Sequence, residues 1–579
     1  MSNIWRVKPV SAFEADIKKS GLKRVLTKWG LTSLGIGAII GGGIFTLTGI
    51  AAHDYAGPAL ALSFVIAGIG CLFASLCYAE FSSVLPVEGS AYAYSYGTIG
   101  EIFAWFIGWN LILEYMMGAT TVAVAWSGYF VKLLGLFHIK LPLSILMDKT
   151  TALEKINHAK AVDAVGGFLK SNPNSTLEQL KSHFLSSDFA SAIKGLASLT
   201  DYQNFAKGEG VAQFAQHYSS IDLTGLVFNL PAFLITWVIT AILVKGIKEA
   251  AKTNNIIVII KIAVVLFVIL VGAFYVNTDN WVPFIPNETV TIIDGVEKIN
   301  FGFGGVLTAA TIVFFAYIGF DAVSTQAGEA INPKKDVPFA IIASLLICTL
   351  LYILVSLVLT GMMHYSDFNP LGKYPDAIKA PVAYAFDIAG QAWAGYIITI
   401  AATVGLISVL MVMIMGQSRI FLGMSKDGLI PKTFSKVNTE TGVPSKNLMI
   451  LGAVISIVAA FTPINDLAHM TSFGTLFAFT MVCVAVWVLR VKEPNLQRNF
   501  RVPALPIIAV CGILINVYLI INLSIEAQTY SAIWLGLGFV IYFLYSRRNS
   551  KLQNGGFGET FKAEQEPLQE VDIDLHDKD

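Results

Sequence analysis

Apolar runs recur along almost the whole chain, each closed by a short polar and mostly basic stretch. The pattern predicts twelve segments, at about 31–51, 58–84, 99–135, 221–244, 254–276, 303–328, 337–362, 392–417, 447–462, 465–490, 503–524 and 529–546. Such runs are long enough to cross a bilayer, which takes about 20 apolar residues. Lipid offers the backbone no partner, so each is expected to be a helix. The third is longer than a crossing needs, which implies tilt or an amphipathic entry turn. Gly57-Pro58 and Gly442-Val443-Pro444 mark breaks between elements. One long polar stretch, 138–220, interrupts the rhythm, with helical patterns over 148–169 and 176–185. It is expected to be a small extracytoplasmic insertion, with a lid, a partner surface and inert decoration all open as its role. Asn174-Ser175-Thr176 within it is a glycosylation sequon, meaningful only in a eukaryotic secretory setting. From Gln553 onward the chain is polar and acidic, as a disordered tail would be.

Composition agrees with an integral membrane protein: 13% of residues are charged and mean hydropathy is +0.66, against about 25% charged for soluble domains. Acidic and basic residues balance at 39 each, so net charge points to no nucleic acid, and their placement says more than their sum. With the N-terminus inside, the inner segments hold 26 Lys and Arg, and the short outer loops hold three, Lys298, Lys373 and Lys379. The long insertion is left out of this count because long loops cross largely regardless of charge. The asymmetry predicts a multi-pass protein of the cell membrane with both termini cytoplasmic. No cleavable signal peptide is evident before the first apolar run. The five cysteines, Cys71, Cys77, Cys348, Cys483 and Cys511, all fall in apolar segments and read as small buried hydrophobes rather than a disulfide set.

Two segments carry interruptions. The first, LTSLGIGAIIGGGIFTLTGIA, holds six glycines, with Gly41, Gly42 and Gly43 consecutive. Glycine costs about 1 kcal/mol in a helix interior. A helix broken there frees backbone groups that must face a cavity or ligand. Close helix packing through the Gly37–Gly41 pair is the plain alternative. Five segments later, FFAYIGFDAVSTQAGEA places Asp321 beside Gly319, with Ser324, Thr325 and Gly328 following. Discontinuous helices at corresponding places of two inverted five-helix units point to a central binding site in secondary transporters. A charge near a helix end is the alternative for Asp321. Lys261 lies deep in NNIIVIIKIAVVLFVIL, as a residue that gains and loses a proton during a cycle or as a fixed cation bonding freed carbonyls. Glu114, in GWNLILEYMMGATT, is placed to pair a cation or substrate amine, or to bond a neighbouring hydroxyl. Glu80 reads as interfacial, and AYAYSY after Pro86 as an interfacial turn. His53, His364 and His469 stand at segment ends without metal-ligand spacing. No HExxH, Walker loop, GxSxG or complete dinucleotide fingerprint occurs, which argues against an enzyme, a cofactor or an ATP-driven pump.

GAIIGGGIF, IGFDAVSTQAGEAINPKKDVP and GQSRIFLGMSKDGLIP together resemble the amino acid–polyamine–organocation superfamily, and most closely its cationic amino acid transporter branch. The resemblance covers nearly all of the chain except the insertion and the tail. It implies an all-α integral membrane fold of LeuT type: a 5+5 inverted repeat plus two accessory helices. The first repeat is then 31–276, the second 303–490, the accessory helices 503–546, and the cytoplasmic ends 1–30 and 547–579. It also implies roles. Gly41, Gly42, Gly43 and Ile44 would bind the substrate carboxylate through N–H groups. Carbonyls around Ile39 and Ile40, with Phe315, Ala316 and Ile318, would hold its amino group. Lys261 resembles a lysine that replaces a sodium ion and links protonation to the cycle. Glu114 and Asp321 match acidic positions of the branch. Gly328-Glu329 departs from the branch, which usually shows two acidic residues there.

The sequence thus leads to an amino-acid transporter working by alternating access, with protons as the coupling partner and the lipid bilayer as its setting. Exchange of amino acids and polyamine transport are its alternatives, and a small accessory membrane subunit is left open. A channel would want pore rings and oligomer symmetry, and a nutrient sensor a sizeable signalling domain. Ser408, Met411 and Met413 are candidates for the side-chain pocket.

Overall fold

The computed structural model describes residues 5–9, 12–13, 22–87, 89–137, 139, 141–184, 225–293, 296–368, 380–523 and 525–554. The predicted tail from Gln553 falls almost wholly outside them, as does much of the insertion. Eight helical stretches among the described residues are long and apolar enough to cross a membrane, and three shorter apolar helices stand with them. The first of the eight, Lys28–Val84, covers two predicted segments and is interrupted. Its first part is α1 (Lys28–Ile39), capped by the Thr27 hydroxyl, which accepts from the Gly30 N–H at 3.2 Å. Its last part is α2 (Leu60–Val84), set off by Gly57, whose φ of +57° favours glycine.

After α2 the chain forms α3 (Ala91–Tyr96) and α4 (Glu101–Leu136). At 36 residues, α4 runs about 54 Å at 1.5 Å per residue, so the expected excess length is real. The segment AYAYSY is no interfacial turn. It is the buried helix α3, and the Tyr92 hydroxyl donates to Asp427 at 2.7 Å while that of Tyr96 donates to Glu101 at 3.1 Å. The insertion contains α5 (Lys149–Ser171), capped by Asp148, and α6 (Leu177–Phe184). Leu143, Ala152, Ile156 and Val227 give it a small apolar cluster of its own.

Next come α7 (Leu230–Lys245) and α8 (Ile247–Gly272). The start of α7 lies well inside the predicted segment because Asn229 caps it, accepting from Ala232 N at 3.0 Å, with Pro231 in the first turn. An all-α fold is not quite what forms. Strands β1 (Thr289–Ile293) and β2 (Val296–Asn300) pair antiparallel, with Ile293 opposite Val296. Asp294-Gly295 between them is a two-residue hairpin sequence.

The sixth segment is split into α9 (Gly302–Phe314) and a short α10 (Ala322–Thr325). There follow α11 (Pro333–Met362), α12 (Pro381–Ile388), α13 (Ala392–Lys426), α14 (Ser445–Phe461), α15 (Ile464–Lys492), α16 (Leu505–Ile521) and α17 (Ile525–Ile541). The side chain of His469, in α15, is not among those described. Helix α13 continues nine residues past the predicted end. Its polar stretch stays helical because it is buried and paired: Arg419 meets Glu329 at 2.6 Å and bonds the Ser418 hydroxyl at 2.6 Å.

In the packing, α1 contacts α8, α11 and α13, while α2 contacts α9 and α11, and α4 contacts α13 and α15. Both breaks therefore sit amid buried helices. On the side where α1 begins, the N–H groups of Val25 and Leu26 bond the Glu329 carbonyl at 3.0 and 2.9 Å, and Ile331 N–H bonds Leu26 O at 2.9 Å. These bonds tie the entrance of α1 to the chain leaving α10. Glu80, expected at an interface, is fully buried and faces Arg490 and Arg498. A carboxylate without water needs such partners.

Candidate functional site

Helix α1 ends at Ile39 because Ile40 turns to extended geometry, φ −71° and ψ 99°. A wide π-turn, Gly43–Leu47, then resumes the helix. This interruption releases carbonyls that would otherwise accept within the helix. Each finds a donor from another element or a nearby side chain. Lys261 on α8 donates to Gly37 O at 2.9 Å and also to Ile40 O. Ser408 on α13 donates to Gly37 O at 3.0 Å. The Tyr352 hydroxyl on α11 reaches Ile39 O at 2.7 Å, and Tyr129 on α4 donates to Phe45 O at 3.2 Å. Thr46 closes the set by donating to Gly42 O.

The ammonium of Lys261 is 1% exposed, so these carbonyls replace its water. Its stem fits because α13 has Gly405 opposite it, where a Cβ would lie 3.0 Å from Lys261 Cε. Burying a cation costs many kcal/mol unless it is paired and hydrogen-bonded, and two carbonyls supply part of that. The deep lysine and the glycine break are one structure, and the cation closes it.

The break between α9 and α10 is built differently. Phe315–Tyr317 forms one tight turn, Ile318 is extended, and Gly319 has φ +117°, a backbone only glycine adopts readily. A Cβ on Gly319 would also lie 2.8 Å from that of Ala38. The two breaks touch: a Cβ on Gly43 would overlap the Cβ of Ala316. Tyr352 spans them, its hydroxyl 2.7 Å from Ile39 O and 3.1 Å from Ala316 O. The consecutive glycines are therefore not equivalent. Gly41 packs on Val409 and Gly43 on Ala316, whereas a Cβ on Gly42 would meet nothing closer than 3.8 Å. Packing, the plain alternative for this stretch, accounts for two of the three.

Asp321 is fully buried and accepts from the Tyr115 hydroxyl at 2.5 Å. Its other carboxylate oxygen, and Oε2 of Glu114, have no hydrogen-bond partner among the described residues. Glu114 is buried on α4, and its chain neighbour Tyr115 is the residue that bonds Asp321. Neither acid is paired with Lys261, which is engaged with α1. Ile44, Ala316 and Ile318 are buried at the breaks, and Phe315 is partly buried. Met411 and Met413 are buried in α13, and Met413 Sδ lies 3.6 Å from a Cβ built on Gly118 of α4. Ser408, a candidate for the side-chain pocket, bonds a carbonyl of the first break. Sequence reasoning missed Tyr352, Tyr115, Tyr129 and Gly405. A hydroxyl or glycine within an apolar run was the available signal.

Residues 26–544 match the sequence model of the family described as "Amino acid permease". The chain belongs to the amino acid permease family. Across 551 residues it is 41% identical to the branched-chain amino acid permease BcaP of Bacillus subtilis, covering 95% of this chain and 99% of that protein. Over 552 residues it is 38% identical to the methylthioribose transporter of the same organism, covering 95% of this chain and all of the relative. It is also 31% identical over 499 residues to the vacuolar cationic amino acid transporter 4 of Arabidopsis thaliana, covering 86% of this chain and 68% of that one. These relatives are transporters, as the absence of an enzymatic motif anticipates. The permease is a multi-pass membrane protein for small molecules, not an enzyme.

Proposed function

We propose that this permease imports an amino acid together with protons by alternating access. One observation carries the reading: a buried lysine holds the freed carbonyls of a broken helix that touches a second broken helix. On this reading twelve segments cross the cell membrane with both termini inside, as two inverted five-helix units of LeuT type plus two accessory helices. The N–H groups of Gly41, Gly42, Gly43 and Ile44 take the substrate carboxylate, since helix ends of this polarity favour anions. Carbonyls of Ile39, Ile40, Phe315, Ala316 and Ile318 take the amino group. Several already accept from Tyr352 or Lys261, and a carbonyl keeps a second lone pair for this. Glu114 and Asp321 form the acidic side of the site, and Met411 and Met413 bound the substrate side chain.

Proton loss from Lys261 would remove the charge that strengthens its bonds to Gly37 O and Ile40 O and loosen the first break, which links protonation to the movement of α1. The whole-length likeness to a branched-chain permease makes leucine, isoleucine and valine the first substrates to test. The equally extensive likeness to a methylthioribose transporter favours a second reading, a neutral thiosugar in the same site. A thermal-shift panel of the twenty amino acids and methylthioribose separates the two. Uptake of the stabilising compound into proteoliposomes, driven by an inward proton gradient, then tests the function. Absence of uptake in either pH direction would overturn it.

A further inference from the structure

A polar knot lies where the two ends of the chain meet, around two buried acids. Glu101 opens α4 and Asp427 follows α13. The Glu101 carboxylate accepts from Tyr542, just past α17, at 3.0 Å, from Ser550 at 2.5 Å and from Gln553 at 3.3 Å. Its backbone N–H donates to Arg6 O at 3.0 Å. The Asp427 carboxylate accepts from Lys8 Nζ at 2.6 Å and from Tyr92 at 2.7 Å, while its carbonyl accepts from Lys551 N–H at 3.0 Å. Each acid therefore bonds both chain ends.

The two ends contribute differently. The C-terminal stretch 546–554 shapes the loop after α13. Ser546 donates to Leu429 O at 2.7 Å, and the Asn549 carbonyl lies against Gly428, whose φ of +83° and missing Cβ permit the approach. The loop so fixed presents Asp427 to Lys8. The N-terminal arm, residues 5–9, then lies over α3, with Lys8 N–H donating to Tyr96 O at 2.9 Å. In turn α3 reaches the second break, because Ser90 at its start bonds Ser324 of α10 at 2.6 Å. The chain leaving α10 carries the Glu329 carbonyl that receives Val25 and Leu26 at the entrance of α1. Bonded elements thus connect the C-terminal stretch to that entrance.

We propose that residues 546–554 are a clasp that seats the N-terminal arm and, through it, restrains opening at the entrance of α1. Chain ends held by a few bonds belong to the least stable parts of a fold, so a clasp of this kind releases without unfolding a helix. Its use in transport rests on the alternating-access reading above; the clasp itself is a property of the folded chain.

Amide hydrogen exchange of the purified full-length permease in micelles, read by mass spectrometry, tests it without a transport assay. Ser550→Asp sets a second carboxylate against buried Glu101 and should free 546–554. The arm and the Val25–Leu26 amides, which lie outside the clasp, should then exchange roughly ten-fold faster, as for the loss of one bond to a charged group. Ser550→Ala adds no charge and should give the same pattern at about three-fold, because Glu101 keeps its other donors. It decides the matter if Ser550→Asp folds poorly. Lys8→Met should free the arm and the Val25–Leu26 amides but leave 546–554 protected. Faster exchange confined to 546–554 in the Ser550 variants would overturn the proposal. So would an arm freed in Lys8→Met with Val25 and Leu26 unchanged. The expected exchange pattern in a protein that shows no uptake would sink the transport reading and leave the clasp standing.

Discussion

The two broken helices meet at Gly43 and Ala316, yet they are held open by different means. The first is held by donors brought from elsewhere: a buried ammonium from α8 and hydroxyls from α4, α11 and α13. The second is held by its own backbone, with Gly319 at φ +117° and a turn on either side. A break sustained by a charged lysine can be loosened when that lysine gives up its proton. A break set by glycine stereochemistry cannot. On the proposed function the switch lies in α1 and the second break is a fixed bend, with Tyr352 bonded to both.

The largest expected effect comes from removing the ammonium. Lys261→Met leaves buried carbonyls of Gly37 and Ile40 without their charged donor. Hydrogen bonds to charged groups contribute about 1.5–3 kcal/mol each, so pH-driven uptake should fall on the order of 100-fold at unchanged surface expression, measured as initial rates in proteoliposomes. Gly319→Ala comes next. Its backbone conformation and the contact with Ala38 both oppose a Cβ, and backbone strain of this kind costs about 1–3 kcal/mol. A lower melting temperature and slower uptake across all pH values are expected; a selective loss of pH dependence would instead put a switch in the second break.

The glycine triplet separates packing from binding. Gly41→Ala and Gly43→Ala should lower the melting temperature of the purified protein, since Val409 and Ala316 occupy the space. Gly42→Ala should leave it nearly unchanged. If Gly42→Ala also leaves substrate affinity unchanged, the glycines serve packing alone. The smallest effect is expected for Tyr352→Phe, which loses one bridging hydroxyl, worth about 1 kcal/mol. Substrate affinity should weaken roughly five-fold, by equilibrium binding, with the proton dependence retained.

Much of this comparison was legible in the sequence, because broken helices need residues that apolar runs otherwise avoid. Gly41-Gly42-Gly43, Gly319, Asp321 and Lys261 all stood out against their surroundings. The donors that complete the first break did not, since Tyr352 and Ser408 lie far from it in the chain and a hydroxyl in a helix more often bonds its own preceding turn. The buried continuation of α13 was hidden for the same reason. Only the pairing of Arg419 with Glu329, 90 residues away in sequence, makes a polar stretch stable inside. The pairing of β1 with β2 was readable from the Asp-Gly sequence between them, a residue pair favoured in two-residue hairpin loops.

The central claim is that Lys261 couples protonation to movement of α1. The most direct measurement records lumenal pH and substrate content together in proteoliposomes holding the wild type or Lys261→Met. The account predicts that adding substrate acidifies the lumen for the wild type, while the variant exchanges labelled for unlabelled substrate without moving protons. Equal acidification by both proteins would contradict it.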